Sequence, residues 1–173
     1  MSKLSLAFGG CDYWDRTRPL MDGTVQPEGV DLKYTIIPPA DLGRRVIAGN
    51  EFEAAEIYAC SYIMMLSSGD DRFVGLPLFP SRSFRHGYIF VRTDAEIEHP
   101  QHLTGKRIGV GQYAITAAMW VRALLQHDYN VPPSAVHWFE GGMWAPDDFF
   151  GHATAELPPD IRVSQAGERT LED

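Results

Sequence analysis

Residues 103–131, LTGKRIGVGQYAITAAMWVRALLQHDYNV, restrict the folds open to this chain more than any other stretch. The pattern predicts a strand, a glycine-bearing turn and an amphipathic helix. Gly109 and Gly111 let the backbone approach a ligand closely, while Ala117, Trp120, Val121, Leu124 and Leu125 recur at helical spacing as a buried stripe. A helix N-terminus carries roughly half a positive charge and several free N–H donors, so the turn before Thr116 suits a phosphate or carboxylate.

The preceding chain alternates in the same way. Strands are expected over residues 4–10, 30–37 and 54–60, and helical segments over 13–21, 41–48 and 62–68. Gly49-Asn50 stops the middle helix, and Ser61 is placed to cap the last one. This β-α-β-α-β-α order predicts an open α/β sheet with functional residues at the C-terminal ends of its strands. Two further strands, over 73–79 and 87–92, flank the basic, aromatic loop Pro80-Ser81-Arg82-Ser83-Phe84-Arg85-His86. Polar, turn-rich residues 93–104 then set a lobe boundary, giving a first lobe over 1–93 and the first part of a second over 94–173. In the second, residues 135–140 and 161–163 read as strands, with a loop over 144–159 between them. Thr170-Leu171-Glu172-Asp173 has the form of a helix start, so this lobe reads as incomplete.

Composition narrows the class of function. At 173 residues, 45% of them hydrophobic and 22% charged, the chain has the make-up of a soluble globular protein. A formal net charge of -8 argues against a nucleic-acid surface, which needs clustered Lys and Arg. No run of about 18 apolar residues occurs, so no membrane-spanning helix is expected. The start MSKLSLAFGGCDYWD lacks the apolar core of a signal peptide, which points to the cytoplasm if Met1 is the natural start. Cys11 and Cys60 match no metal-ligand spacing and are expected as buried thiols, with a disulfide between them as the alternative. His99 and His102 have no partner cluster, so no metal site is expected.

Several residues carry candidate chemistry. Gly109-x-Gly111-x-x-Ala114, with Glu140 closing the next strand, has the loose form of a dinucleotide fingerprint. The acid lies well beyond the usual offset of roughly 20 residues, so a smaller anion at the helix start is preferred to a nicotinamide. Arg82, Arg85 and His86 interleave with Phe79 and Phe84. A guanidinium grips a carboxylate through two parallel hydrogen bonds, so this composition suits an aromatic acid; the alternative is a solvated basic loop. Asp12 follows the first strand, where it either faces the cleft or caps the next helix. Glu56 falls inside an apolar strand and is expected to pair with an arginine or to have a raised pKa.

Taken in order, Glu56 with Ser61-Tyr62-Ile63, Phe79-Pro80-Ser81-Arg82 with Phe84-Arg85-His86, and Gly105-Lys106-Arg107 through Tyr113, Thr116-Ala117-Ala118, Trp120 and Arg122 resemble the 4,5-dihydroxyphthalate decarboxylase family. The resemblance runs from Leu4 to about Gly142. It implies a two-lobed α/β fold similar to type II periplasmic solute-binding proteins, and a longer protein. It also implies a cofactor-independent lyase that converts 4,5-dihydroxyphthalate, or a related hydroxylated aromatic dicarboxylate, to protocatechuate and CO2. Such a reaction needs a proton delivered to the ring carbon that loses CO2, a ring hydroxyl feeding electrons towards it, and a grip on the retained carboxylate.

By residue type and placement, Arg82 and Arg85 would clamp a carboxylate, Ser61 and Thr116 would add donors at helix starts, and Tyr113 and Phe84 would contact the substrate. His86 is the first choice for acid–base work, followed by Glu56 and Asp12. Two other functions fit the same residues: a non-catalytic receptor for an aromatic acid or thiamine-precursor pyrimidine, and an inactive fragment. The open sheet edges of an incomplete lobe also predict self-association, a homo-oligomer included.

Overall fold

Leu4–Gly10 forms the first strand, β1, over the residues expected from its pattern. It runs parallel to β2 (Val30–Ile36) from Leu4↔Val30 to Gly10↔Ile36, and to β3 (Ala54–Ala55) on its other side. The resulting order β2-β1-β3 places β1 centrally. Gly9 is required there by close approach: a Cβ would lie 2.6 Å from Ile37 Cδ1 and 2.8 Å from the Phe52 ring. The structure, a computed structural model, describes residues 2–145 and 157–172.

Two units divide the chain, Met1–Ser83 and Phe84–Asp173. Residues 84–93, expected with the first lobe, thus fall in the second unit. In the first unit, Cys11, Ile37, Leu42 and Val46 are buried together, with Tyr13, Phe52 and Phe73 packed against them. Leu42 and Val46 come from the expected 41–48 helix, which forms as a 3-10 turn (Pro39–Asp41) followed by a π-helical segment (Gly43–Ala48). The 13–21 helix shortens to α1 (Arg18–Met21), because residues 13–17 close a separate turn in which the Arg16 and Thr17 N–H groups both donate to the Tyr13 carbonyl.

β3 is far shorter than the strand expected over 54–60. β1 ends at Gly10, and the Glu56 N–H bond to the Gly9 carbonyl is the last rung available to it. The chain turns at once into α2 (Ala59–Ser67), whose N-cap is Tyr58. Ser61 therefore lies inside the helix and does not cap it. Cys11 and Cys60 are both buried and neither is in a disulfide, which removes that alternative.

Neither 73–79 nor 87–92 is a strand. Their apolar, β-rich sequences have the right composition, but a strand exists only when a neighbour pairs its backbone, and no described strand does so. Val74, Leu76 and Leu78 are exposed in the first segment and Phe90 in the second.

The second unit's sheet is also parallel, in the order β4 (Arg107–Val110), β5 (His137–Glu140), β6 (Arg162–Gln165). Between β4 and β5 runs α3 (Thr116–Tyr129), stopped by Asn130 in the left-handed conformation. Leu125 on α3 packs with Val131, Val136 and Trp138, all almost fully buried, and the Trp138 indole donates to the Pro133 carbonyl. No helix begins at Thr170. Instead the Leu171 N–H donates to the Gly142 carbonyl, and its side chain fills the space above Gly109 and Gly141. Most of the expected 144–159 loop lies outside the described residues. Among the described residues no helix is long and apolar enough to cross a membrane.

Candidate functional site

The first unit gathers polar groups where β1 and β3 end. The Glu56 carboxylate is fixed on both oxygens: Oε2 accepts the Cys11 N–H at 3.1 Å and Oε1 accepts the Tyr13 hydroxyl at 2.6 Å. Its partners are thus a backbone amide and a phenol, where an arginine was one expectation. The Tyr34 hydroxyl donates to the Cys11 carbonyl at 2.9 Å, closing the ring of contacts. In an open parallel sheet this carboxyl end of the strands is where ligands bind.

Burial sets the electrostatics here. It pushes the Cys11 thiol up to about 11, with the Glu56 charge adding to the effect. Burial raises Tyr58 to about 12, again assisted by Cys11 and Glu56. Tyr13 is raised further, by burial first and then by its bond to Glu56. These hydroxyls and the thiol therefore stay protonated at neutral pH and act as donors. Asp12, between Cys11 and Tyr13, is exposed.

Arg82 lies in the same unit, exposed, and among the described residues forms no ion pair. Its loop is tied to the turn after β1, where Arg16 Nη1 donates to the Pro80 carbonyl. Ser61, part-buried in the first turn of α2, completes the candidates of this unit.

In the second unit the corresponding strand end is organised by Glu140. Its Oε1 accepts the Tyr113 N–H and its Oε2 the Gln165 side-chain amide, each at 2.6 Å. Tyr113 is buried, its ring edge-on to Trp138 at 5.6 Å, with the Arg122 guanidinium 3.7 Å above its centre. Thr116 is the first residue of α3 and part-buried; Ile115 occupies the N-cap.

His86 is placed elsewhere in this unit. Its Nε2 lies 3.4 Å from Asp128 Oδ2, and its ring stacks on Phe84 at 4.7 Å and meets Tyr129 edge-on at 6.4 Å. Asp128 and Tyr129 close α3, roughly 18 Å along the helix from Thr116 at about 1.5 Å per residue. His86 borders a cavity of about 240 Å³ whose other walls include Ile89, Ile97, Leu103 and Leu124. Arg85 stays near it in sequence, its guanidinium 4.9 Å over the Tyr88 ring. The structure thus groups Glu56 with Asp12 in one unit and separates His86 from Thr116 and Tyr113 in the other. Tyr13 and Glu140 make the closest polar contacts at the two strand ends. The sequence weighed Glu140 only as the acid of a dinucleotide-like fingerprint and gave Tyr13 no role beyond its position straight after β1.

The structure defines an α/β chain with two small parallel sheets, each ending in a carboxylate that accepts the amide of the departing backbone. No family model matches the chain. Two curated proteins match nearly all of it, both 4,5-dihydroxyphthalate decarboxylases. That of Comamonas testosteroni is 40% identical over 172 residues, which are 99% of this chain and 52% of the relative. That of Pseudomonas putida is 36% identical over 168 residues, 97% of this chain and 64% of the relative. The resemblance drawn from the separated motifs is borne out, and the chain is a sequence relative of the 4,5-dihydroxyphthalate decarboxylases that spans between half and two thirds of their length.

Proposed function

We propose that this chain carries carboxylate-binding and proton-handling residues of an aromatic carboxy-lyase acting on 4,5-dihydroxyphthalate or a related hydroxylated aromatic dicarboxylate. The observation that carries this reading is the presence in one unit of a doubly held Glu56 carboxylate and of Arg82, exposed and without an ion pair among the described residues, in a chain related to enzymes of that name. The two units would be the beginnings of the two lobes of a type II solute-binding-protein-like fold. The reduced thiols Cys11 and Cys60 suit a cytoplasmic setting.

Arg82 would bind one substrate carboxylate through two parallel hydrogen bonds, leaving the other to depart as CO2. Glu56, aligned by Cys11 and Tyr13, would draw the proton from the ring hydroxyl. The phenolate then pushes electron density towards the carboxylate-bearing carbon, which takes a proton from an acid, with His86 and Asp12 the candidate donors, and the carbon–carbon bond breaks to release CO2 and restore the aromatic ring. The geometry favours Glu56 over His86 for the first proton, since Glu56 shares its unit with Arg82. Arg85, Phe84, Ser61, Thr116, Tyr113 and Asp12 remain candidate contacts to the ring and its second carboxylate.

A receptor that binds the diacid without turning it over is the second reading, since a fold does not fix the chemistry of its site. Incubation with 4,5-dihydroxyphthalate, following CO2 and protocatechuate while tryptophan fluorescence reports binding, separates the two. Product formation lost in Arg82→Lys and Glu56→Gln supports the lyase. Binding without product favours the receptor, and neither binding nor product removes both readings.

A further inference from the structure

The two faces of the second sheet differ in what they carry. Ile108, Trp138 and Val163 stand level on β4, β5 and β6 and pack in the cluster that holds Leu125 of α3. Alternate residues of a strand face opposite sides, so Arg107, His137 and Arg162, level with one another one residue earlier, turn the other way. Two contacts confirm this face: His137 Nε2 lies 2.8 Å from Ser164 Oγ, and the His137 ring lies 4.4 Å from that of Phe139. Further along the same face, Leu171 fills the space above Gly109 and Gly141. At the opening ends of the strands Arg107 and Arg162 are exposed.

The three residues form a cationic row across adjacent strands, each about 4.8 Å from the next. Like charges level on one face of a sheet repel and cost stability unless something neutralises them. Neither arginine forms an ion pair among the described residues, in a chain whose 23 acidic residues outnumber its 15 Lys and Arg.

We propose that Arg107, His137 and Arg162 form a binding site for a small dianionic oxyanion, a phosphate or a dicarboxylate, seated over β5 between the two guanidiniums. A guanidinium offers paired N–H donors that match a carboxylate or phosphate, and two of them flank the strand on which the anion would lie. His137 adds a ring nitrogen beneath it, with Ser164 and Phe139 holding the imidazole. The site is independent of the function proposed above. It lies at the opening end of β5, whereas Glu140 closes the strand roughly 10 Å away at about 3.3 Å per residue.

Isothermal titration calorimetry with inorganic phosphate and with succinate, at an ionic strength held constant by chloride, tests the site on wild type and on Arg82→Gln, which removes the first unit's candidate guanidinium. At least one anion should bind, and the tighter of the two identifies the source. That binding should persist in Arg82→Gln and weaken about tenfold in Arg107→Gln and in Arg162→Gln, the loss expected for one charged hydrogen-bonding partner. If a glutamine variant does not fold, Arg162→Lys decides, since it keeps the charge but loses the paired donors and should weaken binding several-fold. Binding of neither anion overturns the proposal, as does binding that the row variants leave unchanged or that disappears in Arg82→Gln.

Discussion

The Tyr113 N–H donates to Glu140 Oε1 at 2.6 Å, and this bond is the second unit's counterpart of the Cys11 N–H bond to Glu56 Oε2 in the first. In both units a glutamate at the end of a neighbouring strand captures the backbone that leaves the opening strand. Its second oxygen takes a side-chain donor, Tyr13 in one case and Gln165 in the other. An amide directed away from its own ladder needs such a partner, and a carboxylate is a stronger acceptor than a carbonyl.

Removing the Glu140 carboxylate should therefore destabilise the second unit. Glu140→Ala leaves the Tyr113 amide without its acceptor, at a cost of about 1–3 kcal/mol, whereas Gln165→Ala should cost about 1 kcal/mol or less. Urea unfolding followed by tryptophan fluorescence measures both. Equal midpoints for wild type and Glu140→Ala would show that the carboxylate braces nothing.

Gly9 should tolerate no side chain. Ile37, whose Cδ1 stands 2.6 Å from where a Cβ would be, is fully buried and has no room to retreat. Gly9→Ala is expected to cost about 1–3 kcal/mol through overpacking. At Gly43 a Cβ meets nothing within 4 Å, so Gly43→Ala should leave stability unchanged or improve it. Thermal unfolding of the pair tests the contrast.

Cys11 gives the first unit a defined alkaline sensitivity. Its thiol ionises near 11 when folded and at 9.0 ordinarily, so the unfolded chain loses that proton first as pH rises. The stabilisation is complete below pH 9 and is lost as pH climbs from 9 towards 11. Unfolding midpoints at pH 8 and pH 10.5 should consequently fall further for wild type than for Cys11→Ala. Identical falls would mean that the thiol titrates as though exposed.

Val74, Leu76 and Leu78 are 88%, 70% and 73% exposed at alternate positions. An apolar row of that kind on the 173-residue chain should promote association as concentration rises. Sedimentation velocity over a hundredfold concentration range should show it, and Leu76→Lys with Leu78→Lys should suppress it. A wild-type chain that stays monomeric throughout contradicts the expectation.

Local pattern was enough to place β1, β2, β4, α3 and β5, because each combines a periodic apolar face with turn residues at its ends and finds its partner nearby. It failed at 73–79 and 87–92 for a physical reason. Periodicity reports which face of a strand would be buried, but not whether another backbone is present to pair with it. The same limit governed the site. Glu56 and Arg82 stood out by residue type, while the donors that orient Glu56 come from Cys11 and Tyr13, more than 40 residues earlier in the chain. Ser61 looked like a cap because β3 was expected to run to residue 60; once the strand ends at Ala55, the helix starts early and the serine is carried inside it.

That brevity has a consequence for how such a chain can vary. Only the pairs Phe8↔Ala54 and Gly9↔Ala55 set the register that precedes Glu56. Alternate residues of a strand face opposite sides, so inserting or deleting one residue there would turn the carboxylate away from Cys11 and Tyr13. Change in length is tolerable in the connections on either side, but in this two-residue stretch it would erase the site in a single step while leaving most of the sheet intact.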